Sequence, residues 1–198
     1  MEPKVEIRRL SDLMPASAIS TVKILSKPEQ KKVIDITFPL PWHRERLIYI
    51  NFDLWRNLTQ RQRDLLLLRN VSWLSGIQWF KPNIYQGVVL AGLFGGLIES
   101  AQGDAVGVVA AGGLSAIAML RIWRNNHSQE SEIAADMAAI RLVQRRGYSE
   151  AEAAEYLLKA IETVAEIEKR STLNFLELIR CSNLRRIAGF SELGVKSE

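Results

Sequence analysis

The chain has 198 residues, room for one domain with a short appendage. Its 47% hydrophobic content excludes wholesale disorder, and a net charge of +4 is a mild basic balance that usually reflects a solvated face. One cysteine, Cys181, excludes an internal disulfide and fits a reducing compartment, and two histidines, His43 and His127, cannot build an ordinary metal site without carboxylates.

Residues 1–30 hold Pro3, Pro15 and Pro28 among mixed polar residues and read as an arm, with one helical turn near Ser11–Leu13. Met1 to Asp12 lack the apolar run of a secretory signal, and Arg8-Arg9 without a following apolar region is no twin-arginine signal. Val33 to Phe38 is short and β-branched, so it predicts a strand, ended by Pro39-Leu40-Pro41. Leu47 to Phe52 predicts a second strand, paired with the first as a hairpin or sheet edge. Thr59 with Gln62 is a capping box opening a helix, and Leu65 to Leu68, Val71, Trp73 and Leu74 give that helix a wide apolar face.

Two charge-free runs follow, Tyr85 to Ile98 and Ala105 to Leu120, around an acidic turn at Glu99 to Asp104. Gly92 and Gly96 in the first run, and Gly107 and Ala111 in the second, have the small-residue spacing that lets helices approach closely in lipid. Lys81 precedes the runs, Arg121 and Arg124 follow, and Trp79, Phe80 and Trp123 occupy interfacial positions. This flanking pattern predicts a membrane hairpin with both termini on the cytoplasmic side. The runs are 14 and 16 residues long, against about 20 for a full span, so a hairpin dipping into one leaflet and a pair of buried helices both stay open. Beyond Ser128 the pattern is helical. One helix runs to Gln144 and is stopped by Gly147; Ser149 caps a second to about Lys169; a third covers about Asn174 to Ile187.

Three stretches in order resemble the membrane metallopeptidases of the CAAX-prenyl-protease and heat-shock HtpX type. They are Ile48 to Trp55 followed by Leu58-Thr59 and its helix; Glu132-Ile-Ala-Ala-Asp136 with Ala138-Ala139; and Gly147-Tyr148-Ser149 before an alanine-rich helix, with Arg186-Ile187 as a weaker late element. The likeness covers roughly residues 45–190. Aligned on Leu58-Thr59, it puts Arg69 and Trp73 at the two zinc-binding histidines of that family's H-E-x-x-H motif, Asn70 at its general base, and Glu132 at the third ligand. The chain also resembles a family of small uncharacterised cyanobacterial proteins, through Met-Glu-Pro at the start and Phe-Asp-Leu-Trp-Arg at 52–56; that resemblance implies a photosynthetic-membrane setting and no activity.

Zinc hydrolysis needs three protein ligands, an open water position and a base. A guanidinium has no lone pair to give, an indole is no ligand and an amide is no base. The resemblance therefore implies a zinc-site-less relative, with Arg69, Asn70, Trp73, Glu132 and Asp136 as the degenerate site and neither metal nor cofactor. A carboxylate left buried after loss of a dication needs a counterion, so Arg69 is expected to pair with Glu132 or Asp136, with Trp73 filling the vacated volume. The plain alternative has Arg69 and Glu132 facing solvent.

Other constellations are weaker. Asp64 beside Arg61 and Arg63 resembles an acid–base pair but usually marks a solvated helix start. Cys181 lies among Arg180, Arg185 and Arg186, where a packed thiol is the ordinary reading. Those arginines, and Arg141, Arg145 and Arg146, could meet lipid headgroups or phosphates; no aromatic interleaving supports nucleic acid.

The expected fold is α+β and predominantly helical, with a small N-terminal strand pair, a metallopeptidase-like helical core and an apolar helical hairpin. Its expected parts are an arm over 1–30, strands and the degenerate helix over 31–83, the hairpin over 84–120, and a C-terminal helical part over 121–198. The expected function is noncatalytic: a membrane-associated scaffold, assembly or quality-control factor in the plasma or thylakoid membrane, contacting the bilayer and a membrane protein or complex, with homo-oligomers open. The alternatives are a metal-dependent hydrolase assembled from His43, His127 and Glu132, and a soluble basic helical binding module.

Overall fold

The structure, a computed structural model, describes residues 2–38, 45–77, 113 and 128–190. The chain divides into two units, Met1–Gly76 with Gln129–Glu198, and Ile77–Ser128. The first unit is described below; the second lies almost wholly outside the described residues.

The first unit is α+β and predominantly helical, as expected. Its elements are α1 (Pro3–Leu13), α2 (Ala16–Ile19), β1 (Val22–Ser26), β2 (Ile34–Ile36), β3 (Arg46–Ile50), α3 (Phe52–Trp55) and α4 (Gln60–Gly76), then α5 (Gln129–Gln144), α6 (Glu150–Ile167) and α7 (Phe175–Ile187). The sheet has three strands in the order β1-β3-β2, with β1 parallel and β2 antiparallel to β3.

The N-terminal segment corrects the expected arm. Pro3 stands in the first helical turn, where its missing N–H costs nothing, and α1 buries Leu10. In β1, Val22 and Ile24 face inward and Lys23 and Leu25 outward, the alternation of a half-buried strand. Charge then pins α1 in place. Arg9 Nε and Nη2 donate to Glu6 at 2.9 and 2.8 Å, and Arg9 Nη1 reaches Asp64 Oδ1 at 2.7 Å. Arg63 Nη1 and the indole N–H of fully buried Trp55 both donate to Glu6 Oε1, at 3.0 and 3.3 Å. One carboxylate thus joins α1, α3 and α4, and Asp64 serves this network instead of any acid–base pair with its helix neighbours.

Asn51 turns β3 into α3. Its Oδ1 accepts from the N–H groups of Asp53 and Leu54 at 3.0 and 3.3 Å, and its Nδ2 donates to the carbonyls of Pro28 and Gln30 at 2.8 and 2.9 Å. The Thr59–Gln62 capping box is present, with Thr59 N–H donating to Gln62 Oε1 at 2.8 Å. Every residue from Leu65 to Val71 on α4 is buried. A helix apolar on nearly all sides must be covered on all of them, and α4 is packed by α1, α5 and α6. Leu65 and Leu68 meet Ala139, Ile140 and Val143 of α5 and Leu157 and Ile161 of α6, while Cys181 and Leu184 of α7 complete the same core.

Helix ends are well specified. Ser149–Glu152 and Asn174–Glu177 form reciprocal capping boxes at α6 and α7. After α6, Lys169 takes a left-handed φ of 55°, and the Arg170 N–H returns to the Ala165 carbonyl at 2.9 Å, a Schellman closure. Arg170 is thereby turned back to bind Glu168 at 2.9 Å and Glu177 at 2.7 and 2.8 Å, linking α6 to α7. Glu168 also accepts from the Val33 N–H at 2.8 Å and ties the sheet to α6.

The expected membrane hairpin over 84–120, with Gly92, Gly96, Gly107 and Ala111, lies outside the described residues. Among the described residues no helix is long and apolar enough to cross a membrane. The transmembrane expectation and the plasma- or thylakoid-membrane placement drawn from it are corrected accordingly. The physical weakness is the one visible in the runs themselves, which fall short of the roughly 20 apolar residues that span a bilayer.

Asn51→Ala removes a helix cap and two buried hydrogen bonds. It is expected to lower stability by about 2–3 kcal/mol in urea denaturation.

Candidate functional site

Helix α5 carries Glu132 and Asp136 one turn apart, so both carboxylates lie on the face that meets α4. Arg69, in the buried stretch of α4, sits between them. Its Nη2 contacts Glu132, and its Nε is 3.4 Å from Asp136 Oδ1. The pairing expected from the sequence is thus present, with both carboxylates, and Arg69 is 8% exposed, which removes the solvent-facing alternative. Nε and Nη2 meet these groups as charges, without the alignment of a hydrogen bond. The aligned bond of Arg69 runs from Nη1 to Asn70 Oδ1 at 3.0 Å, and Asn70 is itself oriented by donating to the Leu66 carbonyl at 2.8 Å.

The fourth charge is Arg180 of α7, which sequence reasoning placed only in a surface arginine patch. It is buried, and its Nε and Nη2 grip Asp136 Oδ2 and Oδ1, each at 2.8 Å. Such a planar two-point contact is the strongest form of arginine–carboxylate bond. One signal could have found it. Arg180 lies four residues before Leu184 and beside Cys181, on the core face of α7, where a charge requires a partner. The patch itself dissolves: Arg185 pairs with Glu162 at 3.0 Å, Arg186 with Asn183 at 2.9 Å, and Arg146 donates to the Leu13 carbonyl at 2.7 Å.

Two guanidiniums and two carboxylates therefore form a closed set joining α4, α5 and α7. Burial, with Arg180 close by, pulls the Arg69 guanidinium down to about 9, and Asp136 opposes that shift. Arg69 is still a cation at neutral pH. Trp73 is 7% exposed and meets Phe38 edge-on, with ring centroids 6.3 Å apart at 65°. Cys181 is packed in the core, and burial pushes its thiol up to about 11, so it is no nucleophile at neutral pH.

His43 and His127, invoked for the hydrolase alternative, lie outside the described residues. Among the described residues no group of three or more His, Cys, Asp or Glu side chains is placed to hold a metal ion. Glu132 and Asp136 are engaged by arginine.

Beside this set lies a cleft of about 700 Å³. Arg69, Asn70 and Arg180 line it, together with the apolar Ile34, Leu66, Ile161, Val164 and Leu173. Lys31 and Lys32 before β2, and Arg170 with its partners Glu168 and Glu177, complete the polar part.

Stability depends on pH through carboxylates of this kind. Burial alone would raise Glu177, but Arg170 and the Asn174 N–H outweigh it and hold the group below its ordinary 4.5; burial likewise opposes Glu6, which Arg9, Arg63 and Trp55 hold low. Each carboxyl binds fewer protons folded than unfolded. Their contribution is present above about pH 4.5 and lost as pH falls through the folded values. Urea denaturation at steps from pH 7 to 3.5 is expected to show falling stability below about 4.5, with a shallower fall in Glu6→Gln.

Asp136→Ala strands two buried cations and is expected to cost about 3–5 kcal/mol in urea denaturation. The double variant Asp136→Ala/Arg180→Met should cost clearly less than its two single changes added, because the pair leaves together.

Comparison with curated proteins finds no match, and comparison with solved structures finds none either. A protein-family comparison matches residues 8–148 to DUF3318, described as a protein of unknown function. It shows no link to the metallopeptidases. The match covers more than half of the chain: this protein belongs to the DUF3318 family.

Proposed function

We propose that the chain works by binding protein and not by catalysis, as a scaffold, assembly or quality-control factor. The observation that carries this reading is the closed charge set. Glu132 and Asp136 are the carboxylates that a hydrolytic site would need, and Arg69 and Arg180 hold both. A carboxylate engaged by a guanidinium is not free to orient a water or to bind a metal.

The cleft beside the set supports binding. Apolar side chains from β2, α4 and α6 meet polar groups at its edges, the composition of a recognition site. Its walls are built by capped helices and a hydrogen-bonded sheet, so it needs little ordering when filled.

A photo-reactive residue placed at Thr172, exposed on the cleft rim, is expected to give discrete protein adducts in the source cells. The same group at Glu166, exposed on α6 and not on the cleft, should give none of them. Identical adducts at both positions, or one zinc ion per chain in the purified protein, would overturn the reading.

A further inference from the structure

We infer that the cleft is selective for a short acidic peptide segment carrying apolar side chains, an inference that rests on the protein-binding reading above. Among the described residues its lining has five cationic side chains, Lys31, Lys32, Arg69, Arg170 and Arg180, against two carboxylates, Glu168 and Glu177. The acids that offset three of these cations, Glu132 and Asp136 for the buried arginines and Asp35 for Lys32, are not in the lining. The positive ends of those pairs border the cleft, and the negative ends do not line it.

Two of these cations have donors to offer. Asp136 takes Nε and Nη2 of Arg180 and leaves Nη1 with no hydrogen bond among the described residues. Asp136 thus fixes a guanidinium in the cleft lining, and its remaining N–H groups are the donors assigned to an incoming carboxylate. Lys31 is exposed at the rim and makes no ion pair among the described residues. Arg170 is already spent on Glu168 and Glu177.

The remaining lining determines the kind of acid. Ile34, Leu66, Ile161, Val164 and Leu173 give the cleft an apolar floor that a bare phosphate or carboxylate would not cover. Phe175 and Leu178 extend that surface outward. They are 74% and 54% exposed in the first turn of α7, next to cleft residues Asn174 and Glu177, and one turn apart on one face. Among the described residues no aromatic ring lines the cleft, and those that do line it offer no stacking platform for single-stranded nucleic acid. A segment with acidic side chains interspersed among leucine-like ones matches both halves of the surface. Charge would speed and orient its docking, and apolar burial would hold it.

The test uses the whole chain and fluorescein-labelled dodecapeptides with leucines three and four residues apart, in acidic (Glu/Asp), neutral (Gln/Asn) and basic (Lys) versions. Fluorescence anisotropy is expected to show binding of the acidic version, weakened by salt. Lys31→Glu/Lys32→Glu should weaken it about tenfold or more. Arg61→Ala, at a separate pocket between Tyr148 and Tyr156, should leave it unchanged. Circular dichroism confirms that each variant is folded. Equal binding of the neutral version, no binding of any version, or indifference to the double charge reversal would overturn the inference. So would displacement by millimolar inorganic phosphate as effective as by unlabelled acidic peptide, which marks a bare anion site, or preferential binding of a single-stranded oligonucleotide. The adducts at Thr172 do not depend on peptide composition. Their persistence beside a failed anisotropy test would remove the acidic specificity and leave protein binding standing.

Discussion

Neutralisation of Arg69 is the constraint on which the rest of the first unit depends. A guanidinium in the middle of a helix that is otherwise buried on every side is tolerated only if counter-charge is built around it. That requirement fixes the register of α5, which must present Glu132 and Asp136 together, and the docking of α7, which must bring Arg180 to Asp136. Apolar packing would tolerate helices shifted by a fraction of a turn. The charge set is less tolerant, because the two-point bond of Arg180 to Asp136 is directional and a buried guanidinium needs its counter-charge close by.

The same logic recurs at the other end of α4. Glu6 gathers Arg9, Arg63 and the Trp55 indole, so a polar cluster again decides where a helix sits against an apolar core. Arg170 does this a third time between α6 and α7, using a backbone turn that a lysine, and not a glycine, holds in the left-handed region. Hydrophobic burial supplies compactness here, and ion-paired arginines supply position.

Much of this was legible in the residues. The pairing of Arg69 with the carboxylates of α5 was legible through the metallopeptidase resemblance, which sets a guanidinium in place of a lost dication beside Glu132 and Asp136. The Thr59–Gln62 pair and the Ser149 cap marked their helices directly. Arg180 was harder, since its neighbours Arg185 and Arg186 made it look like one of a solvated cluster. The N-terminal helix was masked by polarity. With the charged Glu6 buried against Arg9, α1 shows few of the apolar positions that periodicity relies on. The membrane reading failed for a different reason. Absence of charge over 14 and 16 residues was weighed above the length that a span requires.

The bond between Asp136 and Arg180 also bears on where the domain ends. The family match stops at residue 148, yet α6 and α7 lie beyond it and supply Leu157, Ile161, Cys181 and Leu184 to the core, as well as the second arginine. The stop at 148 is therefore a limit of sequence likeness and not a boundary of the fold. A fragment cut there would expose the flanks of α4 and α5 to water and leave Asp136 without its strongest partner. Any shorter version of this protein that keeps its structure has to carry the chain through Ile187.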